Sequence, residues 1–538
     1  MSGEAHISEI QSSVSSWLPV APVSSLCAIG WEKAKVELLP KRKKRCRSKK
    51  RKETGSNYPD NNDSDSRAKV VNESSIEIDT EENQLLKLSP MDDVYLSGHA
   101  NISLVKGHVS LFGYNLEEGS KVTINYPSWS SSISLKASKD SIVRVQKNEN
   151  QGKSCVANRN STIRPIIIPN SWISACDKVL EGTISKVLIC GAKGVGKSTL
   201  LQYMVNRHLS RKKRVMVLDC DVGQPEFSPP GMLSLTEVNE PILSPPHLHM
   251  YYDHLKAYFF GYATSRGDPS TYIAMISNLF DSYQRKFSDV SLVINTDGWT
   301  KGFGFEILST IIQKVGPNHV IQLQGQSHTK PFGWDPTVLD PDSMILIESS
   351  KVASGPGIKS EALRTLRLSS YFLRDNRIWD SIPFTGEGVT DEYHLIANEL
   401  AARKPYVVPM HSIRCEMPRI ASEEIMFDVL NGSIVGLGVD NSHEAIPSCV
   451  GLGIVRSVDQ RHRLYYILSP LALEKLRLVN VLLMGGIQLP IVCIYRGIYS
   501  EALPYMVLNS KNCNIGEEVM KSRQNIGRKA PRAFMGEK

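Results

Sequence analysis

The hydrophobic rhythm of this 538-residue chain changes several times along its length. Residues 1–90 hold few apolar side chains and many Ser, Asn, Asp, Glu, Lys and Arg, so this stretch is expected to be a disordered tail. Over 91–169 apolar residues alternate in short runs: Ile102 and Leu104, Val109 and Leu111, Val122 and Ile124. Turn residues separate them at Lys106-Gly107, Gly113-Tyr114-Asn115 and Glu118-Gly119. That period predicts a small antiparallel β domain. Over 170–380 apolar strands at 187–190, 215–219, 258–260, 291–295, 319–323 and 344–347 alternate with helical periods near 270–286 and 304–314. Such alternation predicts a parallel sheet with helices on both faces. Over 381–519 short apolar runs return, at 406–408, 433–437, 450–455 and 464–467, and predict a second β-rich domain. Residues 520–538 are polar and basic and read as a tail. The expected fold class is α/β, a helix-covered parallel sheet flanked by N-terminal and C-terminal β-rich domains.

The strand at 187–190 leads into Gly191, Ala192, Lys193, Gly194, Val195, Gly196, Lys197, Ser198 and Thr199. This is G-x-x-x-x-G-K-[ST], the phosphate-binding loop, followed by Leu200, Leu201, Met204 and Val205 at helical spacing. Strand, glycine turn and helix bring backbone N–H groups and a helix N-terminus onto phosphate oxygens. The sheet is therefore of the P-loop NTPase type. The loop is expected to bind a nucleoside triphosphate, with Lys197 on its phosphates and Ser198 on Mg2+.

The next strand ends in Asp219-Cys220-Asp221, followed by Gly223-Gln224-Pro225. Acids at such a strand end serve Mg2+, the part expected of Asp219, or accept a proton from an attacking hydroxyl, the part expected of Asp221. The strand at 291–295 runs into Thr296-Asp297-Gly298-Trp299-Thr300-Lys301-Gly302. Trp299 either stacks on a nucleobase or plugs the core, and Lys301 is placed to meet a phosphate. No Asn-Lys-x-Asp motif for reading guanine stands in a suitable place. Residues 360–372 predict a helix with Ser360 as its N-cap. Its Arg364 and Arg367, three apart, share a face and form either a solvated surface or an arginine pair that closes over the triphosphate.

Charge adds a location. Residues 41–52 read KRKKRCRSKKRK, and without that run the net charge of +8 falls close to zero. A basic block in a disordered tail reads as a nuclear or nucleolar address. Ten cysteines lie scattered with no C-x-x-C pair, which argues against a zinc site or a disulfide framework and for a reducing compartment. The N-terminus lacks an apolar signal core, and the most apolar stretch, 479–495, is interrupted by Gly485-Gly486, Gln488 and Pro490. It reads as two strands rather than a membrane span, and no membrane association is expected.

Taken together, GAKGVGKST, LDCDVGQPEFSPPG, FFGYATS and NTDGWTKGFGFEIL resemble the polynucleotide 5′-hydroxyl-kinase family, which includes the cleavage-factor kinase of mRNA 3′ processing. PYVVPMHSI, CVGLGIVRSVD and the basic tail look like its nucleolar protein nine branch, which acts in pre-rRNA processing. The resemblance covers roughly 91–510. It implies transfer of the ATP γ-phosphate to the 5′-OH of RNA or DNA, with ATP and Mg2+ as cofactors. It implies Asp221 as general base with Gln224 beside it, Thr264 or Ser265 holding the nucleic-acid end, and a lid arginine on the transferring phosphoryl group. It also implies a Las-type pre-rRNA endonuclease as partner, whose product carries the 5′-OH. Two alternatives stay open: a non-catalytic ATP-binding assembly subunit, and a phosphate-loop enzyme acting on a small substrate.

Overall fold

The computed structural model describes residues 17–19, 76–78, 83–90, 92–127, 129–147, 155–157, 164–211, 214–249, 253–325, 332–350, 358–374, 379, 390–416, 423–441 and 444–494. The basic run 41–52 and the tail 520–538 lie outside the described residues. No helix among the described residues is long and apolar enough to cross a membrane.

The central sheet carries the phosphate loop. Its elements in chain order are α1 (Asn170–Leu180), β1 (Lys186–Gly191), α2 (Lys197–Leu209), β2 (Val215–Asp219), β3 (Met232–Val238), β4 (His254–Phe259), α3 (Pro269–Phe287), β5 (Leu292–Asn295), α4 (Phe303–Val315), β6 (His319–Gln324), β7 (Met344–Glu348) and α5 (Ser360–Leu373). The strand order is β4-β3-β2-β5-β1-β6-β7. Strands β2, β5, β1, β6 and β7 run parallel, as expected; β3 pairs antiparallel with β2, and β4 pairs antiparallel with β3 and so runs in the direction of the parallel set again. Strand β3 is absent from the sequence reading. MLSLTEV is assigned no element from the sequence, whereas in the fold it is a strand with six of its seven residues buried.

Alternate residues of the parallel strands face opposite layers. Val187, Ile189, Val215, Val217 and Val293 pack with α1 and α2, while Leu188, Cys190, Met216, Leu218 and Ile294 pack with α3 and α4. Strands apolar on both faces can only be satisfied by helices on both sides. Trp172, Ala175, Cys176 and Val179 of α1 recur on one helical stripe and are buried.

The N-terminal β domain is a ten-stranded sheet built around the long strand Asp93–Lys106. It begins earlier than expected. Ile76–Ile78 and Asn83–Leu88 lie within the stretch read as tail, and pairing with Ser141–Lys147 buries Leu86 and Leu88. The domain joins α2 through Asn206, which is fully buried. Its Nδ2 donates to the carbonyls of Phe112 and Ile242, both at 3.0 Å, and its Oδ1 accepts from Ile242 N at 2.7 Å.

The C-terminal domain is a seven-stranded sheet containing Tyr406–Pro409, Arg414–Glu416, Ile434–Val439, Ser448–Asp459, Leu464–Leu468 and Val481–Met484, with helices at Thr390–Ala402 and Glu423–Leu430. Its seventh strand is Leu18–Pro19, paired antiparallel with Tyr406–Pro409, and Trp17 beside it is fully buried in the same core. One tryptophan in a long polar stretch is invisible to composition, because its partners begin only at Tyr406. The apolar stretch at 479–495 yields one strand and then the short helix Ile491–Ile494, not two strands. Between them Gly485 passes against Gly261: a Cβ on Gly485 would lie 2.5 Å from the Gly261 Cα. Gly486 N and Ile487 N both donate to the Gly261 carbonyl, at 2.7 and 3.0 Å.

Candidate active site

Four loops meet at the carboxyl ends of the parallel strands, where open α/β sheets present ligands. The first, residues 192–196, joins β1 to α2. Trp172 braces it from α1: its Nε1 donates to the Glu348 carbonyl at 2.8 Å, and a Cβ on Gly196 would stand 3.4 Å from its ring. Lys197 is buried, with Nζ donating to the carbonyls of Gly191 and Ala192 at 3.0 and 3.1 Å. Burial lowers its pKa, and the carboxylates of Asp221 and Asp297 act against that shift. Lys197 thus lies within the field of both acids.

The second loop follows β2. Asp219 is fully buried. Its Oδ1 accepts from Asn295 Nδ2 at 2.9 Å and Asp221 N at 3.2 Å, and its Oδ2 accepts from Glu226 N. Burial pushes it up to about 7, against the pull of those N–H donors. Asp219 therefore shapes the loop. Asp221 is half-buried and closes an Asx turn, its Oδ1 accepting from Gly223 N at 2.9 Å and Gln224 N at 3.0 Å.

The third and fourth loops follow β4 and β5 and are bonded together. Ser265 Oγ donates to Asp297 Oδ2 at 2.7 Å, and Trp299 N donates to Asp297 Oδ1 at 3.1 Å. The buried Ser265 hydroxyl expected to hold nucleic acid is thus engaged with Asp297, while Thr264, half-buried, caps the turn Ser265–Gly267. Burial raises the Asp297 pKa, and the bonds from Ser265 and Trp299 lower it. A Cβ on Gly298 would lie 2.9 Å from Lys193 backbone atoms, so the fourth loop rests directly on the phosphate loop. Trp299 is half-buried against the α3–α4 core, between the two expected alternatives, with the Arg266 guanidinium 4.6 Å from its ring centroid. Lys301 is exposed.

Helix α5 reaches the second loop through Arg367. Lys359 occupies its N-cap position without a side-chain cap bond, and Ser360 is the first helical residue, so the expected Ser360 cap is corrected. Arg367 is buried and donates from Nη1 to the Pro225 carbonyl. Burial lowers its pKa, with Glu226 and Asp221 opposing. This arginine supports the Asp221 loop rather than forming a solvated face, and Arg364, one turn earlier, is half-buried.

Two residues of this site carry no role in the sequence reading. Asp297 lies inside the motif NTDGWTKGFGFEIL, and its distance from the phosphate loop along the chain conceals that the two loops touch. Glu226 is fully buried, and its Oε1 accepts from Gln202 of α2 at 2.5 Å and bonds His249 Nε2 at 2.8 Å. It couples the phosphate-loop helix to the acid loop. Among the described residues no group of three or more His, Cys, Asp or Glu side chains forms a metal cage. Mg2+ needs none in a phosphate-loop site, because substrate oxygens and water supply most of its ligands. The Ser198 hydroxyl and the Asp219 and Asp221 carboxylates are oxygen donors of the required kind.

Comparison with known proteins adds lineage to this geometry. Residues 191–374 match the family model "mRNA cleavage and polyadenylation factor CLP1 P-loop", and residues 401–490 match "NOL9-like, C-terminal domain". The polynucleotide 5′-hydroxyl-kinase NOL9 of Arabidopsis thaliana is 36% identical over 365 residues, covering 62% of this chain and 96% of that protein. The Homo sapiens protein of the same name is 28% identical over 403 residues, covering 63% of this chain and 55% of its own length. The chain thus spans nearly all of the plant relative and about half of the human one. Among solved structures, Clp1p in a complex with Pcf11p aligns with a TM-score of 0.52 at 13% identity, covering 76% of this chain and 99% of that one, which shows a shared fold. With 36% identity along nearly the full plant protein and family models matching residues 191–374 and 401–490, this chain belongs to the polynucleotide 5′-hydroxyl-kinase NOL9 family.

Proposed function

We infer that this protein is an ATP-dependent polynucleotide 5′-hydroxyl kinase, transferring the ATP γ-phosphate to a free 5′-OH of RNA. The observation that carries the reading is that the loops bearing Lys197, Asp221 and Asp297 adjoin at one end of the sheet, with Gly298 against Lys193, Gly223 against Ala263, and Ser265 donating to Asp297. The chain's residues 191–199 bind the triphosphate, and Lys197 leaves its loop carbonyls to meet the phosphate oxygens. Asp221 acts as general base. Its Oδ1 is held by the Asx turn, so Oδ2 takes the proton as the 5′ oxygen bonds to the γ-phosphorus and the bond to the β–γ bridging oxygen breaks, releasing ADP. Ser198, with Asp219 behind it, would hold Mg2+, which would supply neutralisation of the phosphate charge when bound. Arg364 supplies positive charge to the transferring group, and Arg367 keeps the Asp221 loop in place through Pro225. Gln224, Thr264, Trp299 and Lys301 border the nucleic-acid end, and Ser265 acts there through Asp297.

The lineage supports a setting in nucleolar pre-rRNA processing, where a Las-type endonuclease generates the 5′-OH end that this kinase consumes. The basic run 41–52 supplies the address.

Single-turnover phosphorylation of a 5′-OH RNA with γ-labelled ATP tests the chemistry. Asp221→Asn keeps ATP affinity and loses about 10²–10⁴ in rate, the usual worth of a general base. Lys197→Ala weakens ATP binding and turnover together. A wild-type protein that binds ATP yet phosphorylates no 5′-OH end is instead a non-catalytic assembly subunit.

A further inference from the structure

Glu226 transfers no proton and meets no phosphate in the chemistry above, yet four elements are tied together at it. It is fully buried, five residues beyond Asp221. Its backbone N donates to Asp219 Oδ2 at the end of β2. Its Oε1 accepts from Gln202 Nε2 at 2.5 Å and lies 2.8 Å from His249 Nε2. Gln202 is itself buried and stands on α2, five residues after Lys197. His249 lies between β3 and β4, with its Nδ1 3.0 Å from Ser244 Oγ. A carboxylate oxygen accepts, so His249 Nε2 carries the proton and Nδ1 accepts from the Ser244 hydroxyl. One residue before Glu226, the Pro225 carbonyl accepts from Arg367 of α5. Of the carboxylates that oppose the effect of burial on Arg367, Glu226 acts more strongly than Asp221 or Asp219.

A carboxylate is costly to bury and is kept only where N–H donors and opposite charge compensate it. Here the donors come from α2 and from the segment holding His249, and the charge comes from α5. A charge-assisted bond in a dry interior is short and directional, so it holds the elements it joins at one separation. Those elements are the ones that phosphoryl transfer must keep in register. Helix α2 begins at Lys197, about 7.5 Å along its axis from Gln202, and the loop after β2 carries Asp221. This chemistry asks positioning of the protein more than covalent work. A displacement of about 1 Å made far from the reacting atoms can cost roughly 100-fold in rate.

We propose that Glu226 is a positioning residue: bonded to Gln202 and His249, its carboxylate fixes the Asp221 loop against the helix that carries Lys197. The proposal rests on the kinase reading and adds to it a residue that touches neither ATP nor the 5′-OH. The bond acts at the stage of transfer. Residues 191–199 grip ATP whether or not the neighbouring loop is in register. Loss of the bond therefore slows the reaction of bound substrates and leaves their binding intact.

The test uses the full chain and compares wild type with Gln202→Met, Glu226→Gln, Gln202→Glu, and Gln202→Glu combined with Glu226→Gln. ATP affinity, KM for a 5′-OH RNA and the single-turnover rate at saturating substrates are measured below the melting temperature of every variant. Gln202→Met keeps the side-chain length and removes the donor. It lowers the saturating rate roughly 10–100-fold, the scale of a small misplacement. KM for RNA and ATP affinity stay within about twofold of wild type, the pattern of an interaction that matters only in the transition state. Glu226→Gln removes the charge and loses a similar factor. Gln202→Glu alone sets two carboxyl groups against each other and is the slowest. The combined exchange reverses the bond, with the amide at 226 donating to the carboxylate at 202. It recovers at least about tenfold over Gln202→Glu alone, as two directly coupled positions should. Wild-type saturating rates in Gln202→Met and Glu226→Gln overturn the proposal and leave the kinase reading in place. The same holds for losses confined to ATP affinity and KM, and for an exchange no faster than Gln202→Glu. A wild-type protein that phosphorylates no 5′-OH end refutes the kinase reading, and the positioning role falls with it.

Discussion

Two acids at one strand end, Asp219 and Asp221, differ by their surroundings. Asp219 is walled in and bonded by three N–H donors, whereas Asp221 is half-buried and bonded through one oxygen. Their spacing is plain in the sequence, but the division between support and chemistry comes from burial. A second contrast lies behind the loop. His247 is buried, stacked on Trp129 with ring centroids 5.5 Å apart, and its pKa is lowered to about 3 by burial and then by Arg367 and His249. The unfolded chain returns this histidine to an ordinary pKa of about 6.5. Between those values the unfolded state binds the extra proton, so the His247 contribution is complete above about pH 6.5 and is lost as pH falls toward 3. Asp219, raised to about 7, works in the opposite direction. Comparing melting temperatures of wild type and His247→Phe at about pH 7.5 and about pH 5 isolates the histidine. The wild type should lose more on acidification, and parallel losses would rule the effect out.

At the scale of elements, the acceptor-side loop depends on a neighbouring domain. The Gly261 carbonyl accepts two N–H groups from Gly486 and Ile487, and Gly485 leaves no room for a side chain against it. In the sequence Gly485-Gly486 reads only as a break in an apolar run, because its partner lies far earlier in the chain. Gly485→Ala forces backbone against backbone, and overpacking of this kind costs about 1–3 kcal/mol. We expect a lower melting temperature and a raised KM for the polynucleotide, since the strain falls on residues 261–266. ATP affinity should change little, because the phosphate loop is braced from the other side by Trp172. The buried amide of Asn206 ties α2 to the N-terminal domain in a comparable way. Asn206→Ala orphans two carbonyls and an N–H, each costing about 1–3 kcal/mol when left unpaired, and should lower the melting temperature before it alters KM for RNA.

Among the described residues three sheets share one chain, and the loops of the central one bear the phosphate-loop and acid motifs. Residues 17–19 reach the C-terminal sheet through Trp17, while the basic run 41–52 belongs to the stretch expected to act as an address. Deleting 41–52 should abolish nuclear and nucleolar enrichment of a fluorescent fusion and leave phosphorylation of a 5′-OH oligonucleotide in vitro intact. Unchanged imaging would remove the address, and lost activity would mean that the run contacts substrate.

The sequence alone determined the features written in contiguous residues: the phosphate loop between strand and helix, the acid pair two residues apart, the glycine-rich tryptophan loop, and the alternation that makes a helix-covered sheet. Local backbone chemistry sets these, and short spacing preserves them. Only the tertiary structure decided the features that join distant segments. Ser265 is committed to Asp297, Glu226 to Gln202 and His249, Arg367 to the Pro225 carbonyl, and Arg266 lies on Trp299. Strand β3 and Trp17 likewise declare themselves only when their partners are in place. The physical reason is the same in each case: burial and hydrogen bonding depend on neighbours in space, which spacing along the chain does not record.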